Sequence, residues 1–120
     1  MVIDSSALVA ILTAEAEAGE IAKAIADDPR RLVSPVSALE TALVIEARNG
    51  PHGGRELDLL FHTARIEVVG MNVDQWQIAR DCYRKYGKGR HPARLNLGDC
   101  CSYALARYSG EPLLFKGSDF

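Results

Sequence analysis

Apolar residues fall in short compact blocks, separated by longer stretches in which they recur every three or four positions. The blocks predict strands and the stretches predict helices. Met1 to Asp4 is a short apolar run closed by a carboxylate; Ser5 and Ser6 suit a helix start, and Ala7 to Leu12 continues it. Glu15 to Ala26 sets Ile21, Ala22 and Ile25 at helical spacing among Glu and Lys until Asp28-Pro29 stops the run. Arg31 to Ser34 predicts a second strand, broken by Pro35. Ser37 then suits a cap, and Leu39, Ala42, Leu43 and Ala47 repeat with a helical period as far as Asn49-Gly50-Pro51. Gly53-Gly54 predicts a turn before a helix over Glu56 to Ala64, and the β-branched run Arg65 to Gly70 predicts a third strand. Asp74 to Tyr86 reads as a helix with Trp76, Ala79, Cys82 and Tyr83 on one face. Asn96 to Tyr108 reads as another, with Cys100, Tyr103, Ala104 and Ala106 turned inward. Pro112 to Phe115 predicts the last strand, closed by Gly117. Strands alternating with helices in this way predict an α/β sandwich with a mostly parallel sheet.

The 120 residues suffice for a single domain over positions 1–120, and 48% hydrophobic content with balanced charge argues against disorder. No apolar run is long enough to span a bilayer, and the opening residues lack the basic start of a secretory signal, so the expectation is a soluble cytoplasmic protein with no membrane partner. Cys82, Cys100 and Cys101 lack the spacing of a disulfide framework or a thiolate metal site and read as small buried hydrophobes. His52, His62 and His91 have no zinc-like spacing. A net charge of -2, from 14 Lys+Arg and 16 Asp+Glu, argues at first against a nucleic-acid partner.

Ligands of an open parallel sheet bind beyond the carboxyl ends of its strands, which singles out four acids. Asp4 closes the first strand, Glu40 lies soon after the second, Asp99 lies in the first turn of the Asn96 helix, and Asp119 follows the last strand. Four converging carboxylates would repel one another, and a hard divalent cation with oxygen-only ligation, Mg²⁺ or Mn²⁺, relieves the conflict. Such an ion acidifies bound water and stabilises an oxyanion leaving a phosphodiester, so metal-assisted hydrolysis is the expected chemistry. Each acid also has a plainer explanation. Ser37-Ala38-Leu39-Glu40 fits a capping box, Asp99 suits a helix dipole, and Asp119 suits a turn. Asp4 is harder to explain away, because a carboxylate at the tail of an apolar strand is costly unless ligated or hydrogen-bonded.

The segments Val2-Ile3-Asp4-Ser5-Ser6-Ala7-Leu8, Ser37-Ala38-Leu39-Glu40, Leu97-Gly98-Asp99-Cys100 and Leu113-Leu114-Phe115-Lys116-Gly117-Ser118-Asp119-Phe120 together resemble a PIN domain of the VapC toxin type. The resemblance spans nearly the whole chain and keeps the order of the motifs. It implies a three-layer α/β/α sandwich and a Mg²⁺- or Mn²⁺-dependent endoribonuclease, the toxin of a toxin–antitoxin pair. Asp4, Glu40 and Asp99 match the family's three metal-site acids, and Asp119 matches its more variable fourth acid. The residues read on their own agree, with Asp4 and Asp99 as principal ligands, Glu40 binding through water or orienting the attacking water, and Asp119 as a helper. Ser6 matches the hydroxyl residue that supports the first acid, and helix capping by Ser6 is compatible with that role. The implied partners are RNA, a cognate antitoxin and a second copy of the chain in a homodimer. Family members usually continue beyond the position of Phe120.

A local count of charge changes the first inference. Arg80, Arg84, Lys85, Lys88, Arg90 and Arg94 face the single acid Asp81 in a segment that leads to Asp99. Arg84, Lys85, Lys88 and Arg90 are the candidate RNA contacts, with Tyr83 and Tyr86 able to stack on bases. A solvated helix face followed by a loop explains the same charges, and the spacing of Tyr83 from Ala79 and Trp76 also fits a core position. Gly87-Lys88-Gly89-Arg90 lacks the spacing of a nucleotide-binding P-loop. A catalytically silent RNA-binding domain is the main alternative, and a phosphoacceptor domain ranks last for want of a phosphoacceptor aspartate at the third strand.

Overall fold

A computed structural model describes residues 1–87, 89 and 91–117; Lys88, Arg90 and 118–120 lie outside the described residues. The elements are β1 (Val2–Ile3), α1 (Ser5–Leu12), α2 (Ala18–Asp27), β2 (Leu32–Val33), α3 (Pro35–Asn49), α4 (Pro51–Thr63), β3 (Glu67–Val68), α5 (Val73–Tyr86), α6 (Leu97–Ser109) and β4 (Leu113–Leu114). The four strands form one sheet in the order β3-β2-β1-β4, and every neighbouring pair is parallel. The chain steps outward from β1 through β2 to β3, then returns to place β4 on the other side of β1. The carboxyl ends of β1 and β4 therefore flank a topological switch point, where a parallel sheet opens a crevice.

Alternation along the short strands sends side chains to opposite faces. Met1, Ile3, Val33 and partly buried Leu114 pack with Ala7, Leu8, Ile21 and Ile25 from α1 and α2. Val2, Leu32 and Leu113 pack instead on Leu105 and Ala106 of α6. Helices thus cover both faces, which gives the three-layer α/β/α sandwich that the alternating pattern and the resemblance led us to expect. Against α6 lies α5, joined by a small cluster of Cys82, Leu95 and Cys100.

Several local expectations need correction. Pro35 ends β2 but also begins α3 as its first residue, so the cap is Ser34, whose side chain accepts the Ser37 amide. Proline is suited to that position because its missing N–H would be unpaired there anyway. Glu40 consequently sits in the second turn of α3 and is not part of a capping box. Gly53-Gly54 is no turn; both glycines lie inside α4, which begins at Pro51. Glu15 to Glu17 precede α2 instead of opening it. Trp76 is 51% exposed and Tyr83 39% exposed, so the expected inner face of α5 narrows to Gln75, Cys82 and partly buried Ala79.

A close crossing of α3 and α4 explains one glycine. A Cβ at Gly53 would stand 2.6 Å from Ile45 Cγ2 and 2.7 Å from the Ile45 carbonyl oxygen. The second contact is backbone and has little freedom to yield. Gly53→Ala should lower unfolding free energy by about 1–3 kcal/mol, the usual cost of overpacking, despite the better helix propensity of alanine. Urea denaturation checks this; an unchanged midpoint would contradict the packing described.

Candidate functional site

The carboxyl end of β1 carries Asp4, which is extended in backbone and caps α1. It is 2% exposed, and a buried charge of this kind needs hydrogen bonds on most of its lone pairs. It has them. Oδ2 accepts from the Ser6 amide at 3.0 Å and the Ser6 hydroxyl at 2.7 Å, while Oδ1 accepts from the Ser102 hydroxyl at 2.7 Å. Ser6 Oγ in turn accepts the backbone amide of Lys116 at 2.9 Å, tying the end of β4 to the start of α1. The Lys116 ammonium pairs with Glu15 and, at 3.6 Å, with Glu17, which draws it toward the α1–α2 turn.

Behind Ser102 lies a line of buried hydroxyls. Ser37 Oγ is 2.8 Å from Ser102 Oγ, and Ser34 Oγ donates to Ser37 Oγ at 3.2 Å. Ser102 escaped the sequence reading, which took the inward face of its helix from apolar residues alone. Its position three residues after Asp99 was the available signal, since residues three apart share a helix face.

Asp99 is buried at the start of α6, where it forms a reciprocal capping box with Asn96. Asp99 Oδ2 accepts the Asn96 amide at 2.9 Å and Asn96 Oδ1 accepts the Asp99 amide at 2.9 Å. The box that the sequence suggested at Ser37 and Glu40 is therefore found at Asn96 and Asp99. One side chain is thus both a helix cap and a member of the acidic group.

Glu40 reaches toward this group from α3. Its carboxyl pKa is raised, first by burial and then by the charges of Asp4 and Asp99, with weak opposition from the Ser5 hydroxyl 3.5 Å away. Glu40 on α3 therefore feels the charges of Asp4, at the end of β1, and of Asp99 on α6. Glu40 gets this close because residue 98 is glycine: a Cβ there would lie 1.9 Å from Glu40 Oε1. Among the described residues, no three His, Cys, Asp or Glu side chains form a group tight enough to hold a metal ion unaided. Asp119, the fourth expected acid, lies outside the described residues.

Of the expected RNA contacts, Arg84 and Lys85 are exposed on α5, whereas Lys88 and Arg90 lie outside the described residues. Arg84 is 3.7 Å from Asp81. Lys85 lines a polar groove of about 300 Å³ with Tyr86, Tyr103 and Arg107. Tyr86 meets His91 edge-on, with ring centroids 5.2 Å apart. A larger, apolar groove of about 460 Å³ lies between α5 and α6, lined by Trp76, Tyr83 and Leu97 among others. Cys100 lines it too, its thiol pushed up to about 12 mainly by burial, which makes it a packing group and a poor nucleophile.

Comparison with known proteins agrees with this architecture. The family model of the PIN domain matches residues 1–120. The chain is 61% identical over 120 residues to Ribonuclease VapC of Mycolicibacterium smegmatis, covering 100% of this chain and 93% of the relative. It is 59% identical over 120 residues to Ribonuclease VapC30 of Mycobacterium tuberculosis, covering 100% of this chain and 92% of the relative. The crystal structure of Mycobacterium tuberculosis VapC20, described as a Sarcin-Ricin loop cleaving toxin, superposes with a TM-score of 0.77 at 20% identity, covering 98% of this chain and 90% of that one. At that identity the likeness speaks for the fold alone. Taken with the acids gathered at the switch point, the full-length matches establish that this chain belongs to the PIN-domain family and, within it, to the VapC ribonucleases.

Proposed function

We propose that this chain is a metal-dependent endoribonuclease, the toxin of a toxin–antitoxin pair, acting on RNA in the cytoplasm. The observation that carries the reading is the placing of Asp4, Glu40 and Asp99 together beyond the carboxyl end of the sheet, where burial first and the Asp4 and Asp99 charges second raise the pKa of Glu40. Carboxylates gathered at that cost, and offering only oxygen, fit Mg²⁺ or Mn²⁺. Asp4 and Asp99 are the proposed principal ligands, few enough for an ion that keeps several waters. Glu40 either binds through water or orients the attacking water, and Asp119 assists. When bound, the ion supplies an acidified water and charge stabilisation for the departing oxyanion. Ser6 holds Asp4 in place, and Arg84, Lys85, Lys88 and Arg90 bind the phosphates of the substrate.

A catalytically silent RNA-binding domain remains the second reading, favoured by the lack of a tight three-residue ligand group among the described residues. One assay separates the two. RNA cleavage should require Mg²⁺ or Mn²⁺, stop with EDTA, and fall about a hundredfold or more in Asp4→Asn and Asp99→Asn, as expected when several kcal/mol of charge stabilisation is lost. RNA binding with no turnover under either ion would favour the silent domain; full turnover by both variants would remove the proposed site.

Glu40 gives a test in the pH dependence of stability. Its raised pKa means that the folded chain binds this proton more tightly than the unfolded chain does. The charge therefore destabilises the metal-free fold fully above the raised value, and the cost vanishes below the ordinary carboxylate value. Glu40→Gln should raise the melting temperature of metal-free protein at pH 7, with the gain shrinking as pH falls through that window. A gain independent of pH would sever it from the carboxylate charge.

Leu39 and Leu43 stand one turn apart on α3 at 59% and 62% exposure, and Leu97 is 70% exposed at the start of α6. These apolar positions support a homodimer, with the antitoxin as the further partner. Light scattering should give a dimer that Leu43→Arg converts to a monomer, and should record a larger complex with the product of the neighbouring reading frame. A monomeric wild-type chain at micromolar concentration would remove the homodimer.

A further inference from the structure

Ser34, Ser37 and Ser102 are each 0% exposed and come from the end of β2, from α3 and from α6. A hydroxyl has one proton to give, and an ionised carboxylate has none. Ser102 donates to Asp4 Oδ1, so the short contact between Ser37 and Ser102 must carry the Ser37 proton. Ser34 then supplies Ser37, while also accepting the Ser37 amide at 3.0 Å. The donors run in one direction, Ser34 to Ser37 to Ser102, and end on Asp4. Such a line strengthens its last bond, because each hydroxyl that donates becomes a better acceptor and each that accepts a better donor.

The acceptor count on Asp4 completes the argument. A carboxylate offers about four lone-pair directions, two on each oxygen. Oδ2 spends both on Ser6, and Oδ1 spends one on Ser102. Among the described residues, the direction left over belongs to Oδ1. We propose that Ser102 is a positioning residue: fed by Ser37 and Ser34, its hydroxyl fixes the rotation of the Asp4 carboxylate and thereby reserves Oδ1 as the oxygen that meets a divalent cation. The inference rests on the metal-dependent reading and goes beyond it, because it assigns a role to a hydroxyl contributed from α6, 98 residues away in sequence.

Direct titration of Mn²⁺, followed by calorimetry or by the electron paramagnetic resonance signal of free Mn²⁺, tests this without reference to cleavage. Ser102→Ala should weaken Mn²⁺ binding about tenfold or more, the usual effect of removing a group that orients a ligand. Ser37→Ala, which leaves Ser102 in place but removes the donor behind it, should weaken binding by a smaller factor of about three. Thr41→Ala is the control. Thr41 is also 0% exposed and its hydroxyl donates to the Ser37 carbonyl at 2.7 Å, outside the donor line, so its loss should lower the melting temperature and leave Mn²⁺ affinity unchanged. Wild-type affinity in Ser102→Ala, or an equal loss in Thr41→Ala, would overturn the proposal and leave the metal-dependent reading standing. Should Ser102→Ala fail to fold, Ser37→Ala measured against Thr41→Ala decides in the same way. Absence of Mn²⁺ binding by the wild-type chain would remove both readings together.

Discussion

The architecture around the site answers one demand, that a carboxylate be held charged at the edge of a hydrophobic core. Asp4 follows two strand residues that are wholly buried, and it is itself nearly without solvent. Leaving that charge unpaired would cost several kcal/mol, so the surrounding chain supplies donors from three places: the first turn of α1, the middle of α6 and, through Ser6, the end of β4. Each donor also fixes an element. Ser6 begins α1 where β1 stops, Ser102 presses α6 onto α3, and the Lys116 amide holds β4 beside β1. The same hydrogen bonds that make Asp4 tolerable thus set the relative positions of the elements carrying the other acids.

The remaining acids are settled less comfortably. Asp99 shares its charge with a capping box, which lets the start of α6 absorb part of it. Among the described residues, Glu40 has a long contact to Ser5, set against its burial and the repulsion of its neighbours. A neutral side chain at this position would be free of that cost, as far as the stability of the metal-free fold is concerned. The acidic group is graded, from Asp4 with one lone-pair direction to spare, through Asp99 doubly employed, to Glu40 raised in pKa by burial and by its neighbours.

Much of this was legible in the chain itself. Alternating short apolar runs and helical periods gave the α/β order, and the rule that parallel sheets bind ligands beyond their strand ends singles out Asp4, Glu40, Asp99 and Asp119, of which the first three are placed near one another and the last lies outside the described residues. The capping logic was sound but assigned to the wrong serine, because Pro35 marks a strand end and a helix start with equal force. The exposed Trp76 was misread because a large aromatic at helical spacing signals a buried face whether the covering surface is the chain's own core or only a groove open to solvent. Ser102 was legible only in part: its spacing from Asp99 places the two on one face of α6, but nothing in the sequence places either against Asp4. Serine carries no periodic signal, and its partner Asp4 lies at the far end of the chain; only folding reveals that the two meet.

The approach of Glu40 to residue 98 has a consequence for how such a site can change over generations. The Glu40 carboxylate occupies the space that a Cβ at position 98 would take, so the two positions are coupled although 58 residues separate them. The atoms in the way are the far end of a flexible side chain, so a residue larger than glycine at 98 would be accommodated by swinging that carboxylate aside. A substitution on α6 that touches none of the acids would thereby change where Glu40 points, and the arrangement of the group could shift with its three carboxylates intact.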